Sequence, residues 1–258
     1  MKITESLKQV EAAFKQVRHL ILDGAGKAEH TSKADGSPVT QTDVAVEEKL
    51  TELLTPHDIP VFGEESGYND EQLPDTCWLI DPIDGTKNFI ANSPTFTSMA
   101  ALIHNKQTVA AIIYNPSTND VFTAQKGLGA FKNGERLTLA AKPLPSTAWC
   151  KDQFTGELTA TLQPKHVVCQ PITTGGGFGF TQVAEGLIAA RFQLWAQGYT
   201  HDYAPGALLV SEAGGIILPI LDNEYTFTTK CFVACHPELE PIIRQHIPRL
   251  RELELQRS

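Results

Sequence analysis

The chain of 258 residues has no apolar run approaching the ~18 residues that a membrane-spanning helix needs. It also lacks an excess of positive charge: 21 Lys and Arg stand against 30 Asp and Glu, a balance of −9, which disfavours binding to a nucleic-acid polymer. Cysteine is scarce. Cys77, Cys150, Cys169, Cys231 and Cys235 form no even disulfide framework and lie mostly in apolar runs, which suits a reducing compartment. Cys231 and Cys235 precede His236, but Cys231-Phe-Val-Ala-Cys235 reads as a strand and no second ligand pair accompanies it. Core packing, not zinc, is therefore expected there. The glycine-rich run Gly175-Gly176-Gly177-Phe178-Gly179 is no dinucleotide fingerprint, because no strand leads into it with an acidic residue at the right distance. The opening residues enter an amphipathic pattern rather than the apolar core of a signal peptide, so a soluble cytoplasmic protein is the expectation.

What is present centres on Trp78-Leu79-Ile80-Asp81-Pro82-Ile83-Asp84-Gly85-Thr86-Lys87-Asn88-Phe89. The apolar start marks a buried strand. Pro82 has no N–H for a ladder and Asp-Gly favours a turn, so the strand is expected to stop at Asp81 and a short helix to begin near Thr86. Two carboxylates at a buried strand end, beside free backbone N–H groups, suit a hard cation and a phosphate. Taken alone, Asp81 and Asp84 are equally readable as turn and cap residues.

Leu7, Val10, Phe14, Val17 and Ile21 recur at helical spacing, with Thr4 as cap and Gly24 as stop. Lys27 to Asp43 is polar and reads as a loop carrying Lys33, and a second helix runs from near Asp43, itself a candidate N-cap, to Pro56. Ile59 to Phe62 makes a short strand ending in Gly63-Glu64-Glu65. If that strand neighbours the central one, three or four carboxylates crowd together and repel unless a cation or proton intervenes. Ser98 to Ile103, Val109 to Tyr114 and Val121 to Ala124, with Asn133-Gly134 as a hairpin signal, predict an antiparallel meander. Periodicity assigns nothing between Ala140 and Pro164. Beyond it, strands at His166 to Cys169, Ala190 to Trp195, Gly215 to Leu218 and Phe232 to Ala234 alternate with helices at Gly177 to Gly186, Ala204 to Ala213 and Pro237 to Ile247. Pro205 belongs in a helix's first turn, which sets Asp202 at or beside an N-cap. The chain thus divides into an α+β part, residues 1–140, holding most of the carboxylates, and an α/β part, residues 141–258, holding Asp202, packed as one globular unit.

Thr42-Asp43, Gly63-Glu64-Glu65, Asp81-Pro82-Ile83-Asp84-Gly85-Thr86, Gly129-Ala130-Phe131-Lys132-Asn133-Gly134 and His201-Asp202-Tyr203-Ala204-Pro205-Gly206 occur in an order and spacing that resembles the inositol monophosphatase family across nearly the whole chain. The resemblance implies a layered αβαβα sandwich, α+β in the first half and α/β in the second, often a homodimer. It implies a Mg²⁺-dependent, lithium-sensitive phosphomonoesterase that uses two or three ions to activate a water against a small phosphorylated metabolite. Glu64, Asp81 and the carbonyl of Ile83 would bind one Mg²⁺, and Asp81, Asp84 and Asp202 a second. Glu65 would stand at the edge of the metal shell, and Lys33 on the loop that shapes it. Gly85 and Thr86 would give backbone N–H groups to the phosphate, with Asp84 and Asp202 beside it, and Thr86, bonded to Asp43, would act with Glu64 on the water. Two positions depart from the family. His201 replaces a usual Trp, and Trp195-Ala196-Gln197-Gly198-Tyr199 lacks the carboxylate that grips sugar hydroxyls in family members acting on inositol phosphates. The second departure argues against myo-inositol 1-phosphate. A 3′(2′),5′-bisphosphate nucleotide, histidinol phosphate and fructose-1,6-bisphosphate are the rival substrates, and a weakly active metal-binding regulatory protein on the same fold is the rival class.

Overall fold

The structure, a computed structural model, describes residues 2–33, 36–194 and 198–255. Helix α1 (Ile3–Gly24) buries Leu7, Val10, Phe14, Val17 and Ile21, the stripe its spacing predicts. Thr4 lies inside this helix and is not its cap; its Oγ1 donates to Gln125 Oε1 at 3.1 Å. The polar stretch expected to be a loop instead forms a two-stranded antiparallel hairpin, β1 (His30–Ser32) and β2 (Pro38–Thr40), with Lys33 directly after β1. Helix α2 (Gln41–Leu54) is capped by Thr40, not Asp43. Asp43 is its third residue and completes a capping box by accepting from the Thr40 N–H at 2.9 Å.

Strand β3 (Val61–Gly63) runs parallel to β4 (Thr76–Asp84), with Gly63 opposite Ile80, so the two acidic strand ends are neighbours. The central strand does not stop at Asp81. It passes through Pro82, and its register with the next strand shifts between Asp81 and Asp84. A proline that cannot donate is tolerated at such an irregularity, and the Pro82 carbonyl accepts from Ser98 Oγ at 2.7 Å. After α3 (Thr86–Ile90) come β5 (Thr97–His104), β6 (Gln107–Asn115), β7 (Asp120–Gln125), β8 (Gly129–Lys132) and β9 (Glu135–Arg136). They form the expected meander in a seven-stranded sheet ordered β3-β4-β5-β6-β7-β8-β9. Asn133 and Gly134 both have positive φ, 51° and 85°, as their two-residue hairpin turn requires.

The segment that periodicity left unassigned holds β10 (Thr147–Cys150) and α4 (Thr155–Leu162). The chain continues with β11 (Val168–Pro171), α5 (Gly176–Ala184), β12 (Ala190–Gln193), α6 (Thr200–Glu212), β13 (Ile216–Pro219), β14 (Phe232–Cys235) and α7 (Glu240–Leu255). The second sheet is ordered β11-β10-β12-β14-β13, parallel across its first three strands and antiparallel beyond. Helix α6 starts earlier than expected, so Asp202 is its third residue and Pro205 lies within it, past the first turn. Trp195, Ala196 and Gln197, part of the stretch read against inositol phosphates, lie outside the described residues.

Three large apolar clusters, with a smaller fourth around Leu79, Ala101 and Ala204, fix the layering. The first joins α1 and α2 to one face of the seven-stranded sheet, with Phe14, Leu50 and Tyr114 fully buried. In the second, Met99 and Ile113 on the opposite face meet Phe180 of α5, Leu209 of α6 and Phe232 of the second sheet. The third packs Leu158 of α4 and Ile243 of α7 beneath Phe192 and Val233. The result is an αβαβα sandwich. Emptying one such position, as in Phe14→Ala, costs about 3–5 kcal/mol. Cys231 and Cys235 are buried in the third cluster, and His236 Nε2 pairs with the Lys142 carbonyl at 3.0 Å, in keeping with a core role.

Candidate active site

The carboxylates that follow β3 are set by a buried residue of α2. Glu47 accepts from the backbone N–H groups of Glu65 and Ser66, both at 2.7 Å, and so shapes the turn that presents Glu64 and Glu65. Lys33 Nζ donates to Glu64 Oε1 at 2.6 Å and to Glu65 Oε1 at 2.8 Å. Burial alone would lower the Lys33 pKa, but its two carboxylate partners outweigh that and raise it. Burial raises the Glu65 pKa.

Asp81, Asp84 and Asp202 come together where β4 ends and α6 begins, each offering an oxygen within 4.8 Å of the others'. Asp81 is 1 % exposed, and its Oδ1 has no hydrogen-bond partner among the described residues. Its pKa is pushed well above the usual carboxylate value by burial and by the charges of Glu64, Asp84, Asp202 and Asp43. Asp84 is pushed up to about 6 by burial and by the Asp202 charge, and Asp202 to about 6 by burial. Four carboxylates crowded in a poorly solvated place repel strongly when ionised; Lys33 pairs directly with Glu64 and Glu65 and acts on Asp202 through its charge.

Asp84 is anchored by the glycine-rich run. Gly176 and Gly177 donate their N–H groups to its carboxylate at 2.9 and 2.8 Å, joined by Thr97 Oγ1 at 3.1 Å. A methyl group at Gly175 would sit 2.5 Å from Asp84 Oδ2, so the close approach needs glycine. Gly85, with φ +86°, turns the chain from β4 into α3, a conformation that other residues rarely adopt. Thr86 Oγ1 then lies 3.4 Å from Asp43 Oδ1 and 3.3 Å from the Ile83 carbonyl. Asp43 thus serves its capping box through Oδ2 and meets Thr86 through Oδ1; burial raises its pKa.

All the carboxylates singled out from the sequence, with Thr86, Gly85 and Ile83, meet in this one place. His201 joins them: its Nε2 is buried without a partner among the described residues, 3.8 Å from Glu64 Oε2 and from Asp202 Oδ1. Burial pushes its pKa down to about 4. Sequence reasoning missed Glu47, the glycine run as an Asp84 anchor, and Tyr68, which bonds His201. Glu47 was findable, because it sits with Asp43, Val46, Leu50 and Leu54 on the buried stripe of α2. A separate cavity of about 610 Å³, lined in part by Gln107, Ser211, Tyr225 and Arg244, shares no residue with the cluster.

The model of the inositol monophosphatase family matches residues 3–252. The chain belongs to that family. Its class of reaction is the hydrolysis of phosphoric monoesters. Among its relatives, the inositol-1-monophosphatase of Caulobacter vibrioides is 32% identical over 252 residues, covering 92% of this chain and 98% of the relative. The 3′(2′),5′-bisphosphate nucleotidase CysQ of Aggregatibacter actinomycetemcomitans is 29% identical over 214 residues, 77% of this chain and 78% of the relative. In architecture the sandwich matches the IMPase of Thermotoga maritima with a TM-score of 0.82, at 22% identity, over 97% of this chain and 99% of that one.

Proposed function

We propose that this member of the inositol monophosphatase family is a Mg²⁺-dependent phosphatase of a small, inositol- or sugar-phosphate-like metabolite, with water as the nucleophile. The observation that carries the reading is the buried, unpartnered Oδ1 of Asp81 among Glu64, Asp84 and Asp202. An oxygen-rich cluster raised in pKa by burial and, after it, by mutual repulsion fits a hard divalent cation, which takes oxygen ligands and keeps several waters. Glu64, Asp81 and the Ile83 carbonyl would hold one divalent ion and Asp81, Asp84 and Asp202 a second, with two or three ions in all. When bound, Mg²⁺ makes a water a better nucleophile and neutralises charge on the phosphate.

The chain's own groups orient the reactants. The N–H groups of Gly85 and Thr86 donate to phosphate oxygens beside Asp84 and Asp202. Thr86 Oγ1, directed by Asp43, holds the water in line, and Glu64 accepts its proton. Glu65 and Lys33 close the edge of the site. Residues 1–140 and 141–258 act as two subdomains of one unit, which works as a homodimer in the cytoplasm.

A second reading, a 3′(2′),5′-bisphosphate nucleotide as substrate, is favoured by Tyr199 and Lys230. The Tyr199 ring is 48 % exposed, Lys230 Nζ lies 5.6 Å from its centroid, and Lys230 acts electrostatically on Asp202. An aromatic face and a cation suit a base and a second phosphate. A panel of phosphorylated metabolites assayed with Mg²⁺ and with chelator decides between these. Hydrolysis that needs Mg²⁺ supports the phosphatase reading, and its best substrate chooses within it. Activity undiminished by chelator refutes the metal assignment.

A further inference from the structure

His201 stands where the family usually carries Trp, and its surroundings are those of a ligand. The ring is held from one side: Tyr68 Oη accepts the His201 backbone N–H at 3.1 Å and lies 2.8 Å from Nδ1. It packs between the edge of Tyr68 and the face of Tyr199, at 5.6 and 5.4 Å between centroids. Nε2, the other nitrogen, has no partner among the described residues although His201 is only 1 % exposed. A buried polar atom left unpaired in this way demands an explanation.

Its neighbours supply one. Nε2 is 3.8 Å from Glu64 Oε2 and 3.8 Å from Asp202 Oδ1, too far for a hydrogen bond. That separation is close to the roughly 3–4 Å between adjacent donors around one ion with bonds of about 2.1 Å. Glu64, Asp81 and His201 each offer a donor atom within 4.8 Å of the others', and Asp81 brings the second unpartnered buried atom of the cluster.

We propose that His201 Nε2 is a further ligand at the Glu64 and Asp81 site, which makes this one a mixed nitrogen–oxygen site that prefers a first-row transition ion over Mg²⁺, while the all-oxygen Asp81, Asp84 and Asp202 site keeps Mg²⁺. Mg²⁺ is served by oxygen, whereas an imidazole nitrogen favours the softer divalent ions. With Nε2 as donor, Nδ1 carries the ring proton and gives it to Tyr68 Oη, whose two lone pairs then accept from both the ring and the backbone of His201. This is the arrangement that orients ligating histidines generally: one nitrogen on the ion, the other N–H on a fixed acceptor. A Trp at this position would supply no such donor.

The inference rests on the reading of the carboxylate cluster as a metal site, and the experiment separates the two. Metal-stripped full-length protein is titrated with Mn²⁺ and followed by electron paramagnetic resonance, with Mg²⁺ as competitor and pulsed spectra of the bound ion. His201→Asn is the comparison, since an Asn side chain reaches toward Tyr68 as Nδ1 does but places no atom at Nε2. Wild type is expected to bind Mn²⁺ with nitrogen hyperfine coupling and to release it only to a large excess of Mg²⁺. The variant should bind Mn²⁺ at least about tenfold more weakly, without the coupling, and discriminate less between the two ions. Mn²⁺ bound to wild type without nitrogen coupling overturns the role of His201 while leaving the metal site standing, and that spectrum decides even if the variant fails to fold. Binding of neither ion overturns the metal site itself.

Discussion

Asp202→Asn should make the metal-free protein more stable and the Mg²⁺-loaded protein less so. Asn keeps the structural bond of the side chain, because its oxygen can still accept the Tyr199 N–H that Asp202 Oδ2 accepts at 2.6 Å. What it removes is charge. A carboxyl moved from 3.8 to about 6 carries, at about 1.36 kcal/mol per tenfold, a cost on the order of 3 kcal/mol when ionised. With the side chain 24 % exposed, solvent screening reduces that to about 2 kcal/mol. For a chain of this size each kcal/mol is worth roughly 2–4 °C, so melting in chelator at pH 7.5 should rise by about 4–8 °C. The sign follows from linkage. A raised folded pKa means that the native state binds more protons than the unfolded one between 3.8 and about 6, so wild type regains stability as pH falls through that window. Asn does not titrate, so the gap between variant and wild type should be roughly halved at pH 5 and close only as the pH approaches 3.8. His201, whose lowered pKa works in the opposite direction as pH falls, is present in both proteins. In saturating Mg²⁺ the order reverses, since ligand at 100 times its Kd stabilises by about 2.7 kcal/mol and the variant forfeits much of it. A variant that melts below wild type in chelator at pH 7.5, or a gap that is unchanged at pH 5, refutes the strained-cluster reasoning.

Asp84→Asn should also abolish hydrolysis, but without the stability gain. Its amide NH₂ faces one of the two N–H groups, of Gly176 and Gly177, that the carboxylate now accepts, an unpaired donor that costs about 1–3 kcal/mol; a metal-free melting temperature well above wild type would contradict that anchoring. Thr86→Ala and Asp43→Asn should each cut turnover, and the double variant should lose much less than the product of the two if they act as one unit, fully multiplicative losses showing that they act separately. Asp43→Asn should in addition cost about 1 kcal/mol through its capping box, read from thermal melts. Lithium should inhibit by replacing Mg²⁺ at the Asp81, Asp84 and Asp202 set and holding the phosphate product, so initial rates should show inhibition that grows with substrate; inhibition that vanishes at saturating substrate would sink this.

The parts of the fold that periodicity reaches were legible in the sequence because they bury one face in a regular way. The stripe of α1, the alternating strands of the meander and the Asn133-Gly134 turn each carry a signal set by local geometry. Helix starts were misplaced where a cap decides them. Thr40 and Asp43 share one capping box, and two candidate caps three residues apart look alike until the backbone shows which accepts from which. The continuation of β4 through Pro82 was hidden for a related reason: proline forbids a ladder bond, but a register shift removes the need for that bond, and only pairing with β5 reveals the shift. At the site, the acidic residues were legible because they end an apolar strand or open a helix, whereas their supports were not. Glycines 175 to 177 are silent as a motif until Asp84 is placed against them, since a residue needed for absence of bulk carries no chemistry of its own. The same holds for Tyr68, whose role exists only because its hydroxyl meets His201 across 133 residues of sequence. What the sequence could announce was charge at the ends of strands and helices; what fixes that charge in space is long-range contact, and much of it comes from backbone N–H groups, as with Glu65, Ser66, Gly176 and Gly177, which every residue type except proline can supply.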